Sequence, residues 1–229
     1  MDPQMTPAKG STAPSGPDAP ARARTRWVVF AAVVLLTALV SFGLGRLPAE
    51  RESVSDTGPD AGFSRDMQAH HAQAVEMALI IRDKSANAEI RAIAYDIATT
   101  QQHQNGQMFA WLRDWGLPQA RSQEPMAWMG PGTAGHGTTL SPGGRNKEAA
   151  RLMEGMATPA QMQGLRASAG AAADRLFTDL MIRHHQGGVA MATAATRLAQ
   201  TAKVKNLAAG IVKAQTAEIN ALEELRGRL

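Results

Sequence analysis

Phe63 to Ala78, FSRDMQAHHAQAVEMA, returns at Phe177 to Ala192 as FTDLMIRHHQGGVAMA. The offset is 114 residues throughout, pairing Phe63 with Phe177, Met67 with Met181, His70 with His184, His71 with His185 and Met77 with Met191. It persists outside the motif, at Asp60 and Asp174, Ile90 and Val204, Ile97 and Ile211, Gln101 and Gln215. An internal repeat of this length organises a fold more firmly than any single motif. At about 100° per residue, a helix places Phe63, Met67, His70, His71, Ala74 and Met77 within a sector of about 120°, with Glu76 pointing away. The second copy disposes Phe177, Met181, His184, His185, Gly188 and Met191 identically. Four of the six histidines sit in these two pairs. Ala74 and Gly188, one turn beyond each pair, are small enough to admit a neighbouring helix or an ion.

The rest of the composition agrees with helices. Ala, Leu, Met, Gln and Arg are abundant after residue 60, and no alternating β-branched run occurs there, so an all-α domain is expected and no sheet. The chain has no cysteine, which excludes disulfides, thiolate metal sites and a cysteine nucleophile. A net charge of +4, scattered among acids and without interleaved aromatics, argues against nucleic-acid binding.

Taken in order, residues 1–25 are rich in Pro, Ala, Ser, Thr and Gly and read as a disordered tail. Residues 26–46 contain the uncharged run WVVFAAVVLLTALVSFGLG from Trp27 to Gly45, enough to cross a bilayer as a helix. Arg22, Arg24 and Arg26 precede it, which places the N-terminus in the cytoplasm and the remainder outside. The segment is a transmembrane anchor or a signal sequence; no clear small-residue cleavage site follows it, which favours the anchor. Residues 47–59 form a polar linker. The body, 60–229, divides into repeats 60–116 and 170–229 around a Gly/Pro-rich crossover, 117–169. Each repeat reads as a helical hairpin: Asp60–Lys84, then a helix capped by Asn87 and closed by Gly116 and Pro118; and Gly170–Gln200, then Thr201–Leu229. Thr158-Pro159 opens a short helix between them. Asp60 and Asp174 stand as N-cap candidates for the first helix of each hairpin. Two long hairpins joined by a crossover predict a four-helix bundle related by a pseudo-two-fold rotation.

Met67 with His70-His71 and Met77-Ala78, Gly155-Met156 with Thr158-Pro159, and Met181-Ile182 with His184-His185-Gln186-Gly187 and Met191-Ala192 together resemble the domain-of-unknown-function family 305. The resemblance covers about residues 60 to 229. It implies a ferritin-like, mostly extracytoplasmic bundle and a family that includes copper-binding members. That family's second-helix pattern matches at Gln215, Glu218 and Ile219, and weakens to Gln101 and Gln104 in the first repeat.

Imidazole suits Zn, Cu, Fe and Ni, whereas thioether selects Cu(I). The candidate metal ligands are therefore His70, His71, His184 and His185 with Met67, Met77, Met181 and Met191, and the expected ion is copper. Consecutive histidines diverge by about 100°, so one of each pair is expected to face a helix, a carboxylate or a second ion. Gln101, Gln215 and Glu218 are candidates to orient the imidazoles. With an unperturbed histidine pKa of about 6.5, ion affinity is expected to fall below about pH 6. Met126, Met129, His136, Met153 and Met156 form a looser group that is either a soft metal-binding loop or an incidental surface loop, and His103 is expected to be exposed. The function expected is a membrane-anchored extracytoplasmic copper-binding protein without catalytic residues. The alternatives are a helical accessory module of a membrane complex and, less well supported because no Glu-x-x-His occurs, a di-metal oxidase.

Overall fold

The computed structural model describes residues 19–45, 53–130 and 153–229. Helix is the only extended secondary structure among them: α1 (Ala19–Gly45), α2 (Pro59–Lys84), α3 (Ala88–Asp114), α4 (Pro159–Ala167), α5 (Gly170–Leu198) and α6 (Ala202–Arg226), with a single 3-10 turn at Ala127–Met129. His136 lies outside the described residues.

Two units separate at Arg51 and Glu52. In the first, α1 is long and apolar enough from Arg24 to Gly43 to cross a membrane, by length and composition. It begins at Ala19, so residues expected in the tail join the helix; Ala19, Ala21, Arg22 and Arg24 are strong helix formers that extend it N-terminal to the apolar run. Trp27, Phe30, Leu35, Leu36 and Phe42 are all exposed. The hydroxyl of Thr37 donates to the Val33 carbonyl at 2.8 Å, which satisfies the polar group within the helix itself.

The second unit is built on α2, α3, α5 and α6. Helix α2 buries Asp60, Phe63, Met67, His70, His71, Ala74, Met77, Ala78 and Ile81, a stripe recurring every three or four residues. It packs broadly on α3 and on α5, and α5 packs broadly on α6, while α3 and α6 barely touch. The boundaries follow local chemistry. Asn87 Oδ1 accepts the Glu89 and Ile90 N–H groups at 2.9 and 3.3 Å and starts α3. Gly116, at φ +71°, ends it: its N–H reaches the Arg113 carbonyl and the Leu117 N–H returns to Leu112. Thr158 and Gln161 form a reciprocal capping box on α4.

Asp60 and Asp174 do not cap the helices that contain them. The N-cap of α2 is Gly58 and that of α5 is Ala169. Asp60 instead accepts the Gln200 and Thr201 N–H groups, each at 2.9 Å, and the Thr201 hydroxyl at 2.7 Å. Its carboxylate thereby sits at the positive N-terminal end of α6 and ties the two hairpins together.

The core falls into two apolar clusters. One contains Met77, Ile81, Ile90, Ile97, Phe177, Met181, Leu222 and Leu225; the other contains Phe63, Met67, Met108, Met126, Trp128, Met153, Met191, Val204 and Ile211. Met67 near the start of α2 shares a cluster with Met191 near the end of α5, and Met77 with Met181, so these two helices run antiparallel. The histidine pairs lie between the clusters.

Candidate metal centre

All four paired histidines are completely buried. The α2·α5 contact brings His70 and His184 face to face, with ring centroids 3.7 Å apart and planes inclined by 33°. Close approach depends on the small residues of α5: a β-carbon at Gly188 would lie 2.3 Å from Gln215 Oε1 and 3.2 Å from His70 Cε1. No ring nitrogen of His70 or of His184 makes a hydrogen bond of good geometry, although the Glu154 backbone lies near His70 and the His70 backbone near His184, and both amide atoms of Gln101 and of Gln215 are unpaired. Buried polar groups are ordinarily paired.

The second histidine of each pair turns to the adjacent helix. His71 Nε2 meets Gln104 Oε1 at 2.7 Å, and His185 Nε2 meets Glu218 Oε2 at 2.6 Å. Both contacts span 33 residues, and 104 and 218 differ by the repeat offset of 114. Nδ1 of each ring is left buried and unpaired. Of the three side chains expected to orient the imidazoles, Glu218 contacts one, His185, whereas Gln101 and Gln215 are buried with unpaired amides. Gln104 was absent from that set. The signal that identifies it is its equivalence to Glu218.

Burial governs the electrostatics. It pushes His70 down to about 3, helped by the neighbouring charges of His71 and His185. His71 is likewise pushed down to about 3 by burial, against the opposing bond from Gln104. His184 falls well below its usual value for the same first cause, followed by repulsion from His70, His185 and His71. Neutral imidazole is the metal-binding form. The expectation that proton competition sets in near pH 6 assumed exposed rings, and burial moves it lower for these three.

The four methionines do not gather at one centre. Met67 and Met191 lie in one apolar cluster and Met77 and Met181 in the other, because antiparallel packing sends the two ends of each motif to opposite sides of the histidine layer. Among the described residues, no three His, Asp or Glu side chains are disposed to hold a single ion together. His70 and His184 present ring faces to each other, whereas the lone pairs of an imidazole lie in the ring plane. The donor set nevertheless suits a soft ion, with unpaired imidazole nitrogens between two thioether-bearing layers.

Much of the crossover is packed over this region. Met126, Trp128 and Met153 are buried with Met67 and Met191, so the incidental-surface reading fails for them; Met129 and Met156 pack at the edge of the same cluster. Asp66 holds the loop down, its Oδ2 accepting the Met126 N–H at 2.8 Å and Trp128 Nε1–H at 2.9 Å while Arg121 Nε pairs with Oδ1 at 2.8 Å. Residues 153–157 form a strap. Gln73 bonds the Ala157 backbone in both directions, at 2.9 and 2.7 Å, and a β-carbon at Gly187 would stand 2.0 Å from the Glu154 carbonyl. His103 is exposed and bonds Gln107.

No curated protein matches the chain. Among solved structures, a DUF305 protein from Streptomyces coelicolor is 40% identical, with a TM-score of 0.65, covering 76% of this chain and 96% of its own. A DUF305 fragment from Deinococcus radiodurans is 36% identical, with a TM-score of 0.58 and coverages of 75% and 97%. CopM in its Cu(I)-bound form shares the fold at 21% identity, TM-score 0.54, with coverages of 76% and 97%. Residues 60–226 match the model of the domain of unknown function DUF305, and the chain belongs to that family.

Proposed function

We propose that this protein is a membrane-anchored, extracytoplasmic copper-binding protein that buffers or transfers the ion. The observation that carries the reading is the facing of His70 and His184, four buried imidazole nitrogens without partners, between two layers of methionine. In this reading the α2, α3, α5 and α6 helices are a ferritin-like four-helix bundle made of two repeated hairpins, and the histidine layer is their shared centre. An ion held there would draw its imidazole nitrogens from His70, His71, His184 and His185. Gln101 and Gln215 would then have a polar neighbour for their amides, and Met67, Met77, Met181 and Met191 line the apolar layers on either side of the histidines. CopM, which has this fold, has been seen with Cu(I) and with Cu(II).

Helix α1 supplies the anchor, and the arginines at its N-terminal end orient the histidine-bearing unit outward. Outside the cytoplasm a thiol-free site suits copper handling, since no cysteine of its own can be oxidised.

The test is titration of the purified full-length protein with Cu(I) and with Cu(II). At least one ion should bind per chain, and simultaneous replacement of His70, His71, His184 and His185 by Ala should abolish it. A stoichiometry below one, or unchanged binding in the quadruple variant, refutes the proposal.

A further inference from the structure

The two histidine pairs occupy equivalent positions, yet the residues that hold them differ in one decisive respect. His185 is held by the Glu218 carboxylate and His71 by the Gln104 amide. A carboxylate can only accept, so the Glu218 contact requires the proton on His185 Nε2 and leaves the lone pair on Nδ1. That Nδ1 is buried and has no partner. An amide presents an accepting oxygen or, turned over, a donating NH2, so Gln104 is compatible with either tautomer of His71. The charge differs as well. Glu218, with 22% of its side chain exposed, sets one negative charge beside the buried layer, and Gln104 sets none. A cation placed in a dry interior is costly unless an opposite charge is near.

We propose that Glu218 is a positioning residue that makes the two histidine pairs unequal, fixing His185 with Nδ1 ready to bind and favouring a single monovalent soft cation in that half of the site. This rests on the metal-binding reading above. The shared histidine centre is therefore lopsided: the His185 side, where the carboxylate compensates the charge of a bound ion, contributes more to Cu(I) affinity than the His71 side. Partners that orient a ligating histidine typically contribute 10-fold to 100-fold in metal affinity.

The experiment uses the full-length protein, 15N-labelled, with Cu(I) titrated against a competing chelator. In the metal-free wild type, the ring nitrogen shifts of His185 should report a proton on Nε2, and Glu218→Gln should convert this to a mixture of tautomers. The same change should lower Cu(I) affinity by about 10-fold to 100-fold. The double variant Gln104→Glu with Glu218→Gln should recover most of that loss by moving the carboxylate to the His71 half, a rescue that a purely structural role of Glu218 would not give. An unchanged His185 tautomer in Glu218→Gln, an affinity within about threefold of wild type, or absence of rescue in the double variant each overturns the proposal. Absence of any Cu(I) binding by the wild type overturns the metal-binding reading instead, and the tautomer measurement, which needs no metal, then decides the positioning role alone.

Discussion

Acidification of the metal-free protein from pH 7.5 to pH 5 should destabilise its helical core steeply, and the structure gives the size of the effect. His70 and His71 are both buried with pKa values pushed down to about 3, against about 6.5 in an unfolded chain. Between these limits the unfolded state binds a proton at each position that the folded state refuses. Stability attributable to the neutral rings is therefore complete above pH 6.5 and is lost as pH falls toward 3. Linkage gives about 2 kcal/mol per histidine at pH 5, hence about 4 kcal/mol for the pair, and His184 acts in the same direction. A loss of that size is a large part of the roughly 5–15 kcal/mol that holds a domain folded. Urea unfolding followed by helical circular dichroism at half-unit pH intervals would measure it. Replacing His70 by Gln should reduce the slope by about 1.4 kcal/mol per pH unit, the linkage of one proton. A slope between pH 6 and pH 5 shallower than that of one proton, or ring resonances of His70 and His71 titrating near 6, would show that the histidine layer is hydrated and that the burial argument is wrong.

Three further outcomes follow from particular contacts. Gly187→Ala forces its new methyl against the Glu154 carbonyl, so it should lower stability by about 1–3 kcal/mol, whereas Gly210→Ala, with open space around it in the middle of α6, should raise it by about 0.5–1 kcal/mol; melting temperatures moving in the same direction would contradict this. Asp60→Ala removes the acceptor of two backbone N–H groups and a hydroxyl at the start of α6 and should cost about 3 kcal/mol, read from chemical denaturation; a cost below about 1 kcal/mol would mean that the clasp between hairpins contributes little. Asp66→Ala should release the turn at Ala127–Met129 and shift Trp128 emission to the red, and an unshifted spectrum would show that the loop is held by packing alone.

The parts of this molecule that the sequence made legible are those where one local rule acts alone. Helical spacing around Phe63, Met67, His70 and Met77 identified the buried face of α2, and Asn87, Gly116 and Thr158-Pro159 marked helix ends within a residue or two. Where a choice depended on a partner distant in the chain, the same reading fell short. Asp60 looked like a cap for its own helix because it stands near that N-terminus, but its acceptors are filled from residues 200 and 201. The methionines looked like one donor set because they share a helical face, and the antiparallel crossing of α2 and α5 divided them between two clusters. Gly187 stood in the sequence only as part of the His184-His185-Gln186-Gly187 motif, and its packing role is set by the 153–157 strap that rests on it. Helical periodicity locates a face, and only the packing of that face decides which of its residues meet.

The energetics of the histidine layer link fold and function. Eight side-chain atoms of His70, His184, Gln101 and Gln215 are buried without partners, and each unsatisfied group costs about 1–3 kcal/mol relative to a paired one. Apolar residues of similar volume at these four positions would avoid that cost, as they do in the Met77 and Met191 layers on either side. The cost is borne where α2 and α5 cross, and Gly188 there lets His70 and Gln215 close on the α5 backbone. A ligand that satisfies these atoms in the folded state alone must stabilise the fold by mass action, by about 2.7 kcal/mol at a hundredfold excess over its Kd. Copper should therefore raise the melting temperature of the wild type and counteract the acid destabilisation described above. Variants with Leu at both His70 and His184 should be more stable than the wild type without the ion and should gain less from its addition. If that double variant is less stable than the metal-free wild type, the stacked imidazoles contribute packing that outweighs their unpaired nitrogens, and the layer is structural.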